Sequence, residues 1–154
     1  MATGRNIRTN IGFYRPQEDG GAWRSSLPSL EQALQQGFPG AVIDHRTSAV
    51  HGRQALDFEI ALAPDVWIDG TSSMEEPDYA FITLTDVTAG EAAVFATWLR
   101  DSFAPAPDLV RFVSSLAMAN GEERPWVLPA TGGGEEVLAE IRRHLDTFDT
   151  FDTF

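Results

Sequence analysis

The stretch Ala55-Leu56-Asp57-Phe58-Glu59-Ile60-Ala61-Leu62 decides the fold class. Leu56, Phe58, Ile60 and Leu62 recur at every second position, so an extended chain places all four on one face. Asp57 and Glu59 then share the opposite face, which stays wet because burying an unpaired carboxylate is too costly.

Upstream of this strand, Ile7, Ile11 and Phe13 alternate within residues 6–14 and suggest another. Residues 15–26, with Pro16 and Gly20-Gly21, read as a loop. Pro28 suits the first turn of a helix carrying Leu30, Ala33 and Leu34, and Gly37 stops it. Ala41-Val42-Ile43 is a short strand, and His45 to Gly52 a polar turn region. Downstream, Pro64 and Asp65 interrupt the pattern and Val66-Trp67-Ile68 is a brief return. Asp69 to Asp78 has the Gly, Ser, Glu and Pro content of a loop, while Tyr79 to Leu84 is apolar enough for a central strand covered on both faces.

Thr88 and Glu91 have capping-box spacing, followed by Ala92, Phe95, Leu99 and Phe103 at helical intervals. Pro105 and Pro107 end that helix and start a second through Leu109, Phe112, Val113 and Leu116, which Asn120-Gly121 closes. Trp126-Val127-Leu128 reads as a last strand. The final helix turns Val137, Leu138, Ile141 and Leu145 inward, with Arg142, Arg143 and His144 near its C-terminus, where the dipole favours positive charge. Consecutive strands without intervening helices predict an α+β fold, a mixed or mainly antiparallel sheet of about four to six strands with three to four helices packed on it. Residues 1–145 form one domain of ordinary size, and 146–154 a separate tail.

Composition excludes several chemistries. Among 154 residues there is no cysteine, which removes thiolate nucleophiles, zinc–thiolate sites, iron–sulfur clusters and disulfides. All eleven basic residues are arginine, so Schiff-base lysines and the phosphate-loop lysine are absent too. A GC-rich genome of bacterial type is the expected source of that bias. Hydrophobic content of 43% supports a real core. No apolar run approaches the ~20 residues of a membrane span, and the N-terminus lacks the apolar stretch of a secretory signal, so the expected location is cytoplasmic, away from membranes.

Charge is the most informative property. The net charge is −12, and from Gln54 to Leu99 there is no basic residue at all. Asp57, Glu59, Asp65, Asp69, Glu75, Glu76, Asp78, Asp86 and Glu91 stand alone there. Such a field repels nucleic acid and attracts a basic protein. Asp65, Asp69, Glu75, Glu76 and Asp78 surround Trp67, a residue type enriched at interface hot spots, and the strand face bearing Asp57 and Glu59 extends this candidate surface.

Other motifs carry less. His45 and His51 lie near Asp44 and Asp57 and could serve a small hydrolase with a carboxylate, but no third ligand or partner has a recognisable spacing. Thr131-Gly132-Gly133-Gly134 precedes a helix like an anion cradle, yet Glu135 and Glu136 already supply the negative charge. No Gly-x-Ser-x-Gly and no calcium-loop pattern occurs, and no cofactor or metal is called for.

The chain closes on Asp146-Thr147-Phe148, Asp149-Thr150-Phe151, Asp152-Thr153-Phe154. Period three matches neither strand nor helix, although Phe148 follows Ile141 and Leu145 in helical register. Replication slippage explains the repeat most simply. The functional expectations are therefore a non-catalytic acidic binding module, of the immunity or antitoxin kind that neutralises a basic toxin, or else a folded carrier whose tail a peptide-modifying enzyme acts on or a partner reads.

Overall fold

In the computed structural model, residues 7–18, 22–23, 25–47, 52–76 and 79–149 are described, the side chains of Glu75 and Glu76 excepted. The strands are β1 (Thr9–Tyr14), β2 (Val42–Thr47), β3 (Gln54–Ala63), β4 (Val66–Glu76), β5 (Tyr79–Val87), β6 (Arg111–Ser114) and β7 (Trp126–Val127). They form one sheet in the order β2-β3-β4-β5-β1-β6-β7, with every neighbouring pair antiparallel. The helices are α1 (Leu27–Gly37), α2 (Ala89–Trp98), α3 (Ser115–Ala119) and α4 (Gly134–Phe148). The fold is thus α+β, with seven strands instead of about four to six.

The additional strand replaces a predicted helix. Leu109, Phe112, Val113 and Leu116 have helical spacing, but Pro107–Leu109 makes only a single 3-10 turn and β6 follows. β1 has a second edge to satisfy, and β6 fills it, pairing Ile11 with Ser114 and Phe13 with Phe112. Ser114 ends the strand and caps α3, its Oγ accepting from the Ala117 amide at 3.0 Å.

A second correction concerns residues 69–76, which continue β4 rather than forming a loop. Loop-like residues are useful here. Ser72 is buried and donates its hydroxyl proton to the Phe81 carbonyl at 2.8 Å. A Cβ on Gly70 would lie 2.2 Å from Cζ of Phe58, so the glycine makes room for that ring. Likewise β2 runs on through Thr47, so His45 and Arg46 lie in a strand and not in the expected turn.

Helices α1, α2 and α4 all pack on one face. Ser26 caps α1 with a reciprocal Ser29 bond, and Thr88 and Glu91 make the capping box of α2, as their spacing implied. At the centre Phe95 of α2 meets Phe13 at 5.7 Å, Phe58 at 6.0 Å and Phe38 at 6.3 Å between ring centroids. Beyond α2 a π-helical turn, Leu99–Phe103, buries Arg100, which donates to the Pro129 and Gly132 carbonyls and ties down the turn before α4.

Replacing Gly70 by alanine forces the new methyl against the buried Phe58 ring. We expect a loss of about 1–3 kcal/mol of stability from overpacking, measurable as a lower urea midpoint. Phe58→Leu in the same chain should recover part of that loss, since it removes the clash; a Gly70→Ala midpoint equal to wild type would contradict the close packing.

Candidate functional site

No described helix covers the second face of the sheet. Along β3 the even-numbered residues point to the helices, leaving Asp57 and Glu59 on the open side. On β4 the same alternation leaves Trp67 and Asp69 outward, while Ile68 and Ser72 are buried. Register then decides what meets what. Glu59 stands directly opposite Asp69, and Asp57 opposite Asp44 of β2. These four carboxylates surround a shallow hollow of about 220 Å3 with Val42, Thr71 and Thr85 around it.

Only one of the four is well satisfied. Asp57 accepts from Arg46 Nε at 2.9 Å and from the Thr71 hydroxyl at 2.9 Å. Among the described residues no cation or donor side chain engages Asp44, Glu59 or Asp69. Trp67 keeps 49% of its surface exposed on the same face, and Asp65 is exposed in the β3–β4 turn. The structure therefore brings together Asp57, Glu59, Asp69 and Trp67 of the expected residues. It adds Asp44, whose position opposite Asp57 no sequence periodicity reveals. Asp78 and the side chains of Glu75 and Glu76 lie outside the described residues.

His45 turns to the other side of β2, where its Nε2 lies 2.7 Å from Glu31 Oε1 of α1. Both groups are substantially exposed, so this pair contributes little to stability. His51 lies outside the described residues. No group of three or more metal-ligating side chains occurs among the described residues, and no described helix is long and apolar enough to cross a membrane.

His144 is the residue whose place the sequence pattern conceals. It is not a cation beside the end of α4 but fully buried, on the stripe of Val137, Ile141 and Leu145. Its Nε2 accepts from the Ser114 amide at 3.1 Å and lies 2.9 Å from the Ser114 hydroxyl. The ring proton consequently belongs on Nδ1, which has no hydrogen-bond partner. Phe112, Trp126 and Phe148 enclose the ring at 5.0, 4.5 and 5.2 Å. Both Ser114 and His144 are inaccessible, so the pair fixes α4 to β6 and is closed to any substrate. Helix α4 takes Asp146, Thr147 and Phe148 of the repeat into its last turn, with Asn120 Nδ2 donating to the Phe148 carbonyl at 3.2 Å. Asp149 follows the helix as its C-cap, and Thr150, Phe151, Asp152, Thr153 and Phe154 lie outside the described residues.

No protein-family model matches the chain, and comparison with curated proteins and with solved structures gave no significant match.

Burial pushes the His144 imidazole down from 6.5 to about 4, against the pull of Glu122 and Glu140. The folded value is depressed, so between these limits the unfolded chain binds more protons and stability falls as pH falls. The contribution is intact above pH 6.5, and about 3 kcal/mol should be lost by pH 4. His144→Gln lacks this titration, so the gap in unfolding free energy between wild type and variant should move in the variant's favour across that window. Parallel pH profiles would show that His144 is not held neutral.

Proposed function

We propose that the protein is a non-catalytic acidic binding module that covers a basic surface of a partner protein with its helix-free sheet face, as an immunity or antitoxin protein neutralises a basic toxin. The supporting observation is the direct opposition of like charges, Asp44 against Asp57 and Glu59 against Asp69. Like-charged pairs facing each other across a sheet destabilise it, by amounts comparable to the roughly 0.2–1 kcal/mol that favourable pairs contribute. Nothing within the described fold compensates Glu59 and Asp69. A cationic surface laid over the face would relieve both pairs at once. Trp67, half exposed beside Asp69, supplies the aromatic anchor that such interfaces concentrate. Uncompensated charge at this density also favours rapid, steered association.

The alternatives rest on less. An enzymatic role for His45 must contend with its short contact to Glu31 at the sheet edge. A carrier role depends on the triplet repeat, most of which lies outside the described residues.

Glu59→Lys separates fold from function, because it turns a repulsive cross-strand pair into an attractive one. Stability should rise by up to about 1 kcal/mol. Capture of the basic partner from the host extract at low salt should meanwhile fall, most in a Glu59→Lys, Asp69→Lys double variant, and wild-type capture should weaken steeply as salt rises, since exposed charges are screened over ~8 Å at physiological ionic strength. Salt-insensitive capture, or undiminished capture by the double variant, would refute the proposal.

A further inference from the structure

On the same open face, beyond β5, a groove of about 740 Å3 lies between the strands and the segment that follows α3. That volume falls within the roughly 300–1,000 Å3 of ordinary ligand sites. Its floor is aromatic. Tyr14 and Phe81 stack with centroids 5.7 Å apart and planes 21° apart, and Val113 and Met118 continue the apolar lining. The stack depends on Gly12: a Cβ there would lie 2.3 Å from the Tyr14 hydroxyl oxygen, so only a glycine lets the ring lie back along the strand.

One wall is acidic. Glu122 accepts from the Trp126 indole at 3.0 Å and from the Arg124 amide at 3.1 Å, and these bonds hold its carboxyl below the usual range. Glu123 stands exposed beside it. Neither has an ion-pair partner among the described residues. An aromatic floor beside the hydrogen-bonded Glu122 carboxylate and the exposed Glu123 is the environment that a planar cation on an apolar stem requires. The groove also contains an instance of the contact, since Arg15 places its guanidinium carbon 3.9 Å from the Tyr79 ring centroid.

We propose that this groove seats an arginine side chain of the basic partner, its stem over the Tyr14–Phe81 stack and its guanidinium at Glu122 and Glu123. The inference rests on the acidic-module reading and gives it a second anchor, distant from Trp67 on the same face. Charge complementarity selects the occupant: a lysine would carry the charge but not the plane that stacks on the aromatic floor. It also gives a role to the two hydrogen bonds that orient Glu122.

The groove can be tested without the partner. Titration of the full chain with N-acetyl-arginine methylamide, followed by NMR, should give saturable shifts at the Tyr14 and Phe81 rings and the Met118 methyl. The Glu122→Gln, Glu123→Gln double variant should weaken binding by about tenfold, a loss of roughly 1.4 kcal/mol. Glu123→Gln alone touches no described hydrogen bond and should show part of the loss in an undisturbed fold. Gly12→Ala, which displaces the Tyr14 ring, should weaken binding while leaving both carboxylates in place. Absence of saturable shifts, equal binding of the uncharged N-acetyl-norleucine methylamide, or unchanged binding in the glutamine variants would each overturn the proposal. The arginine probe reports on the groove alone, whereas the Glu59 and Asp69 variants report on the acidic strip, so either idea can fail without the other.

Discussion

The ring of Phe95 holds the architecture together. It is wholly buried where α2 crosses the sheet and touches aromatic rings contributed by β1, by β3 and by the segment that follows α1. Each such contact combines a large buried apolar area with a preferred ring geometry, so displacing Phe95 disturbs several elements together. Because α1, α2 and α4 converge on this one side, none of these three helices remains to cover the other side of the antiparallel sheet. A two-layer fold of this kind leaves one broad sheet face open as a direct consequence of how its core is built.

That division assigns different physical tasks to alternate residues of a single strand. In β3, Leu56, Phe58 and Ile60 are buried beneath the helices, while Asp57 and Glu59 stand in solvent. In β4 the constraint is sharper, because Phe58 of the neighbouring strand occupies the space that a side chain at residue 70 would need. Gly70 and buried Ser72 therefore serve the core, and Trp67 and Asp69 on the alternate positions are free of it. Charge on the outer positions can be reversed without touching the packing that holds the sheet. The like-charged pairs are tolerated for the same reason: their cost of a few tenths to about 1 kcal/mol each is small beside the burial on the far side.

Much of this was legible in the residue pattern, and the failures share a cause. The period-two alternation of β3, Pro28 in the first turn of α1 and the capping box of α2 are local signals, carried by neighbouring residues. By contrast, Gly70, Thr71, Ser72 and Ser73 resemble a loop because what makes them a strand is pairing with β3 and β5 on both sides. Phe112 and Val113 fit helical spacing and strand alternation equally well, and the open edge of β1 decides between them. The acidic strip was visible as a run without basic residues, but its membership was not. Asp44 joins through the β2–β3 register, whereas Asp65 stays in a turn at the end of the strands. His144 was concealed differently, by two adjacent arginines that made it look like the third cation of an exposed helix end. Its spacing from Val137 and Ile141 is the signal that places it on the buried stripe.

Trp126 touches both the buried core beside α4 and the wall of the aromatic groove. Its ring packs edge-on against the buried His144, and its indole N–H holds Glu122 in the wall of the aromatic groove. Arg143 stacks over the same indole at 4.5 Å, anchored by both carboxylate oxygens of Glu140. A change of charge on His144 must be accommodated within this cage, because the imidazole is closed to water and its Nδ1 has no acceptor. The buried imidazole and the groove wall thus share one indole as a neighbour, while the hollow among the carboxylates of β2, β3 and β4 is lined by other residues.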